Sequence, residues 1–416
     1  MSIACGVDFG TSNSTVGWVR PGHAVMLGLE DGKTTLPSVV FFNADDDQVS
    51  YGRAALAEYL AGYEGRLMRS MKSLLGTSLI DGQTEVGGRA LPFRMLLAQF
   101  IGELKHRAER SAGREFTSAV FGRPVHFIDD SKENDQLAED TLAEVARSVG
   151  FKDIAFQFEP IAAAFDYESQ IDREELVLIA DIGGGTSDFS LVRLSPERAK
   201  KAERRDDILA NGGVHIGGTD FDKYLSLSSI MPLLGYGSQL RNNSEVPSSY
   251  FFNLATWHTI NQVYTKKMWT QLSDLIRDSA EQEKLHRLQR LIDERAGHWL
   301  AMKAEEGKIA LSGADQVQLE LDRLAPPVLL DLHRPQFDDA IDHLVGSVET
   351  TVLNLMRDAG VKPEQVDTVF FTGGSSGVRK LRERIGALVP SARKVEGDLF
   401  GSIGAGLALD AVRKFG

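Results

Sequence analysis

The stretch Asp181-Ile182-Gly183-Gly184-Gly185-Thr186-Ser187-Asp188 closes one apolar strand, residues 176–182, and opens a second, residues 188–194. Three consecutive glycines are costly in a sheet, because each loses much backbone freedom and brings no side chain to pack. Close approach of the backbone to a ligand justifies them, although a tight hairpin alone would also accept them. An acidic residue at the strand end can hold a metal through water, and the amides and hydroxyls after it suit a phosphate. The N-terminus repeats the device. Residues 3–9 alternate as a strand, Asp8-Phe9-Gly10-Thr11-Ser12-Asn13 ends it in a turn, and residues 15–19 resume. Two hairpins of one kind point to a duplicated α/β architecture, with two halves facing each other across a cleft. No G-x-x-x-x-G-K-[ST] occurs, so a Walker loop does not grip the phosphate.

Outward from these hairpins, further short strands are expected at residues 24–29, 38–42, 119–121 and 154–158. Helices are expected over residues 95–112, where Leu97, Phe100, Ile101, Leu104 and Ala108 share a face, and over residues 132–149, closed by Gly150. A short helix follows at residues 161–167. The mixed-charge run at residues 197–207 reads as a solvated turn or helix face. Residues 226–301 begin irregularly and then become helical. There Leu272, Leu275, Ile276, Leu285, Leu288, Leu291 and Ile292 form the stripe of a helix pair packed on its own subdomain. The end reads as a strand at 368–372, a turn at 373–377 and helices at 378–388 and 402–412.

Composition excludes several classes. Of the 416 residues, 42% are hydrophobic and 25% charged, the balance of a folded chain of two or three domains. The net charge of -13 argues against general nucleic-acid binding, which needs a basic face. The single cysteine, Cys5, rules out a disulfide framework and alternates with Ile3, Val7 and Phe9 as a buried strand residue. No apolar run is long enough to span a bilayer, and the first strand leaves no room for a leader. The expected place is the cytoplasm, and the expected state a monomer without membrane or nucleic-acid partners.

Further motifs carry a resemblance. Phe158-Glu159-Pro160-Ile161-Ala162-Ala163-Ala164, Ile216-Gly217-Gly218-Thr219-Asp220-Phe221-Asp222, Thr372-Gly373-Gly374-Ser375 and Met71-Lys72-Ser73-Leu74-Leu75-Gly76 accompany the two hairpins. Together, in this order, they resemble the ATPase domain of the heat-shock protein 70 (DnaK-type) chaperones across nearly the whole chain. The resemblance implies an actin-like ATPase fold with mixed sheets flanked by helices and a nucleotide cleft. It implies lobe I over residues 1–174, lobe II over 175–397 and a final helix, 398–416, returning to lobe I.

The same resemblance implies ATP or ADP and Mg²⁺ as ligands. Asp8 and Asp181 would orient the metal through water. Gly10, Thr11, Ser12, Asn13, Gly183, Gly184, Gly185 and Thr186 would line the phosphates, and Lys72 would neutralise charge on the γ-phosphate. Glu159 would orient the attacking water, aided by Asp188. Phosphoryl transfer is mainly positioning and charge neutralisation, which these residue types supply. Gly217, Gly218, Glu305, Lys308, Ser312, Gly373, Gly374, Ser375 and Asp398 fall where the family holds the nucleoside. An exposed helix face is the other reading of Glu305, Lys308 and Ser312. Ile309 and Gly377 stand where the family sandwiches adenine between two arginines, a loss of about 0.5–2 kcal/mol for each contact. The chain ends at Gly416 without a recognisable client-binding domain, which resembles the shorter YegD-like branch.

The function expected is therefore ATP binding with slow, Mg²⁺-dependent hydrolysis in a chaperone-family protein lacking the peptide-binding domain. A non-hydrolysing nucleotide sensor and a filament-forming actin-like protein stay open as alternatives. Other chemistries fit less well. Gly373-Gly374-Ser375-Ser376-Gly377 matches a nucleophile elbow, but the last histidine, His343, precedes it. The nine histidines form no metal-binding pattern. Residues 401–406 look superficially like a dinucleotide loop, and helix packing explains their glycines better.

Overall fold

A computed structural model describes residues 4–23, 25–86, 88–128, 131–201, 203–398 and 401–416, with only the backbone described at Asp166. Two compact units emerge: Met1–Gly213 with Val352–Ser376 and Gly386–Gly416, and Val214–Thr351 with Gly377–Ile385.

The first unit contains two five-stranded sheets of the same design. In one, the order is Asp153–Phe158, Ser118–Arg123, Ala4–Phe9, Asn13–Gly17, Thr35–Pro37. In the other it is Arg393–Glu396, Thr368–Thr372, Glu175–Ile182, Ser187–Leu194, Ile208–Val214. Each has a central antiparallel hairpin, Ala4–Phe9 with Asn13–Gly17 and Glu175–Ile182 with Ser187–Leu194. Two parallel strands extend each sheet from the hairpin's first strand. The duplication expected from the two glycine turns is therefore present, and ligands in such α/β sheets gather at strand ends. Residue 3, at the start of the expected first strand, lies outside the described residues.

Why the sheets hold together follows from two helices. One hydrophobic core includes Ala4 and Val120 of the first sheet, and Val177, Ile179, Val192 and Phe370 of the second. Ile161–Phe165 of the helix Glu159–Glu168 and Leu407 and Ala411 of the helix Ser402–Phe415 complete it. Small residues let these backbones touch. A Cβ on Gly6 would run into the Ala408 amide, and one on Gly406 into the Ala162 carbonyl. Gly406 thus serves helix packing, and Gly404 likewise stands against Thr15 and Met26. On its outer side the first sheet is covered by the helices Phe93–Ala112 and Lys132–Ser148, through Leu97, Phe100, Leu104, Leu142 and Val145. Ser131 caps the second of these, accepting from the Asn134 amide at 3.2 Å, and Gly150 follows it at φ 101°.

One expectation fails in this unit and a second holds only in part. Residues 25–29 form no strand; Met26 makes a single bridge to Gly17, and Ala24 lies outside the described residues. Within residues 197–207, Arg204 and Asp207 are buried. The Arg204 guanidinium donates to both oxygens of Glu168, at 2.8 and 2.9 Å, and is also paired with Asp207. Elsewhere in the run Glu197, Lys200, Lys201, Glu203, Arg205 and Asp206 are exposed and solvated, so the internal ion network is confined to side chains that local sequence cannot distinguish from a solvated face.

In the second unit the helix Gly297–Gly313 packs against Gly218–Leu225 and against the hairpin Gln316–Leu321 with Val328–His333. The expected helix pair is Lys266–Asp278 and Gln282–Asp293, with Leu272, Ile276, Leu285, Leu288, Leu291 and Ile292 buried. No helix among the described residues is long and apolar enough to cross a membrane.

Candidate functional site

Both glycine turns lie in the first unit, and they meet. A Cβ on Gly184 would lie 2.2 Å from the Ser12 hydroxyl, so glycine lets the second turn approach the first with that hydroxyl in place. Gly10 is fixed likewise, because a Cβ there would run into the Asn13 carbonyl. Across the second turn the Gly183 amide donates to the Thr186 carbonyl at 2.9 Å. The Thr186 hydroxyl donates to Asp188 Oδ2 at 2.8 Å.

Register places the acids. Asp8 sits on the first hairpin opposite Thr15, and Asp181 sits opposite Asp188 across the second. Asp181 also lies beside Thr372 of the neighbouring parallel strand. The next residue, Gly373, has φ 82° and turns so tightly over Asp181 that a Cβ would meet its carboxylate. The turn 373–376 therefore starts at the same strand ends. The Ser376 hydroxyl donates back to the Gly373 carbonyl at 2.8 Å, and Ser375 is buried. Asp398 is exposed, and its carbonyl accepts from the Ser402 hydroxyl at 2.7 Å where the final helix begins.

Lys72 belongs to the short turn Met71–Leu74, entered through Ser70 at φ 55°. Its ammonium donates to Glu159 Oε1 at 2.5 Å, with both side chains largely buried. Glu159 opens the helix Glu159–Glu168, where a carboxylate faces the positive end of the helix dipole and Pro160 fits the first turn. Gly122 leaves it room: a Cβ there would lie 3.2 Å from Glu159 Cγ. Arg123, next in the strand, stacks over the Phe127 and Phe158 rings and pairs with Asp135 and Glu139.

These charges act on one another. Burial and the neighbouring Glu159 charge push Asp8 up to about 7, against the opposing pull of Lys72. Burial, then Asp188, Glu159 and Asp8, push Asp181 up to about 8. For Lys72, burial favours the neutral amine, but Glu159, Asp8 and Asp181 together outweigh it and raise its pKa. One cation thus stands among three carboxyl groups, and in two of them burial and mutual repulsion oppose ionisation.

Two buried carboxyl groups so held suit a divalent cation, whose charge would favour their ionised forms. Among the described residues no three His, Cys, Asp or Glu side chains are grouped to ligate a metal directly. Asp8 and Asp181 are oxygen donors of the kind Mg²⁺ takes.

The remaining candidates lie in the second unit. Lys308 is buried there, donating to the Gly218 carbonyl at 3.1 Å and pairing with Asp222 at 2.8 Å. It is not part of an exposed helix face. The Gly217 amide donates to Asp220 at 3.0 Å, opening the helix Gly218–Leu225. Glu305 and Ile309 are exposed one turn apart, Ile309 by 62%, and Ser312 is half-buried with Gly377 beside it. The structure thus gathers Asp8, Ser12, Lys72, Glu159, Asp181, Gly184, Thr186, Asp188 and Gly373 in one unit. It holds Gly217, Gly218, Glu305, Lys308 and Ser312 in the other. Sequence reasoning missed Gly122 and Gly213; a Cβ on Gly213 would come within 2.6 Å of Asp188 Oδ1. A glycine inside a strand was the available signal.

The chain is also similar to known proteins. A family model described as "Hsp70 protein" matches residues 4–230 and 268–410. The chain is 28% identical to the chaperone protein HscA of Citrobacter koseri, over 98% of this chain and 58% of the relative. It is 28% identical to the HscA of Salmonella typhimurium, over 92% of this chain and 54% of the relative. The chaperone protein HscA homolog of a Shewanella species is 26% identical, over 98% and 58%. The chain spans a little over half the length of these relatives.

Proposed function

The chain belongs to the Hsp70 family, and from that premise we propose that it binds ATP with Mg²⁺ at the two meeting turns and hydrolyses it slowly. The observation that carries this is the Lys72–Glu159 pair set among Asp8 and Asp181, at the strand ends where Ser12 and Gly184 touch. A surface salt bridge has no use for three nearby carboxylates; a site for a polyphosphate and its cation does.

Roles follow from position. The amides and hydroxyls of Thr11, Ser12, Asn13 and of residues 183–186 bind and orient the phosphates. Lys72 neutralises charge that develops on the transferred group, where a preorganised cation contributes most. Glu159 accepts hydrogen bonds and orients the attacking water, and Asp188, held by the Thr186 hydroxyl, supports it. When bound near Asp8 and Asp181, Mg²⁺ supplies charge neutralisation of the phosphate oxygens. Slow turnover follows from the ground state: Lys72 and Glu159 are engaged with each other at 2.5 Å and must part before either serves the phosphate.

Gly373, Gly374 and Ser375, with Asp398, would hold the nucleoside from the first unit. In the second unit Lys308 is tied to Asp222 and braces the helix Gly218–Leu225. The output is assigned to chaperone work, as the relatives' names suggest, and the compartment to the cytoplasm, where the buried thiol of Cys5 is at home. Isothermal titration with ATP tests the binding reading. Saturable binding that strengthens with Mg²⁺ supports it, and absence of binding at millimolar ATP refutes it.

A further inference from the structure

The first turn is held from behind by a residue outside every motif quoted above. Ser38 lies between the strands Thr35–Pro37 and Val39–Asn43 and is 1% exposed. Its amide donates to the Ser12 carbonyl at 2.9 Å. Its hydroxyl donates to the Gly10 carbonyl at 2.7 Å. Since that proton is committed, the fully buried Ser14 hydroxyl donates to Ser38 Oγ, at 2.9 Å. One side chain and one amide thus take the Gly10 and Ser12 carbonyls, and a second hydroxyl, that of Ser14, donates to the first.

Peptide geometry converts this into an orientation. In a trans peptide the carbonyl of one residue and the amide of the next point in opposite directions. With the Gly10 and Ser12 carbonyls turned to Ser38, the Thr11 and Asn13 amides point away from it. Resting on the nucleotide reading above, we infer that Ser38 is a positioning residue for the phosphate site, aiming these two amides at the phosphate. It touches no ligand itself. A buried hydroxyl is otherwise replaceable by alanine at small cost, but a turn whose carbonyls lose their partners can rotate its peptides and turn the donors away.

The test compares wild type with Ser38→Ala. Hydrogen–deuterium exchange of the segment 8–14 in the nucleotide-free protein should quicken while distant segments stay unchanged. ATP affinity, measured by calorimetry, should fall about five- to tenfold, the loss of one oriented hydrogen-bonding arrangement. Affinity for adenosine, which has no phosphate, should not change. Ser14→Ala, which leaves the Ser38–Gly10 bond in place, should keep ATP affinity within about twofold. Equal losses for ATP and adenosine, or an equal loss in Ser14→Ala, overturn the assignment. Unchanged exchange in segment 8–14 also overturns it, whatever the nucleotide data. If wild type binds no ATP yet the segment loosens in Ser38→Ala, the nucleotide reading fails while the hold of Ser38 on the turn stands.

Discussion

Replacing Lys72 by methionine keeps the aliphatic stem and removes the charge. In the structure this leaves Glu159, whose side chain is 13% exposed, without its 2.5 Å partner. Breaking a largely buried ion pair by removing one member costs about 3–5 kcal/mol. The loss should depend on pH, and its sign follows from the neighbours. Asp8 and Asp181 already sit at about 7 and about 8 in the fold, with Lys72 pulling both down. Without Lys72 both rise further. An acid whose folded pKa exceeds its unfolded value holds a proton only in the fold, so stability drains away as pH climbs toward the folded pKa. The deficit of Lys72→Met relative to wild type should therefore widen between about pH 6 and pH 9. Urea denaturation without nucleotide or Mg²⁺ reads this directly. In single-turnover assays the same variant should release phosphate about 10²- to 10³-fold more slowly, as when one preorganised charge-stabilising group is lost. A variant as stable as wild type at every pH, with wild-type phosphate release, would refute the reasoning, because Lys72 would then be a surface lysine.

Other perturbations separate the site from the scaffold. Asp181→Asn removes the proton-linked penalty, which in wild type grows as pH climbs from the unfolded value of 3.8 to about 8, so without metal the variant's advantage over wild type should be larger near pH 9 than near pH 5, by thermal melts at both. Gly406→Ala drives a Cβ into the Ala162 carbonyl and should cost about 1–3 kcal/mol. Gly346→Ala, with open space in the helix Arg334–Asp358, should gain about 0.5–1 kcal/mol in the same denaturation assay. Arg204→Met strands the buried carboxylates of Glu168 and Asp207 and should cost about 3–5 kcal/mol by urea denaturation; a loss under about 1 kcal/mol would show that the network adds little.

Much of the fold is legible in the sequence because its two hairpins carry their own punctuation. An apolar strand ending in Asp and followed by Gly-Thr-Ser or Gly-Gly-Gly-Thr admits few readings, and its recurrence gives away the duplicated sheets. The strand 368–372 and the helix at 93–112 are equally plain, since each has an uninterrupted apolar run or face. Ile208–Val214 is hidden, because its sequence, with Asn211, Gly212 and Gly213, reads as loop until its neighbouring strand pairs with it. The Glu168–Arg204–Asp207 network is hidden because burial of a charge is a tertiary fact. At the candidate site, the carboxylates and Lys72 stand out through their motifs. Ser38 does not: a serine after a proline carries no signal until the turn it holds is seen in three dimensions.

If the two turns and Lys72 make a slow, Mg²⁺-dependent ATPase, single-turnover incubation of the purified chain with Mg²⁺-ATP should release one phosphate per bound ATP slowly, and chelation of the metal should abolish the release. Tight ATP binding with no phosphate released over many hours would contradict this reading and leave a nucleotide sensor.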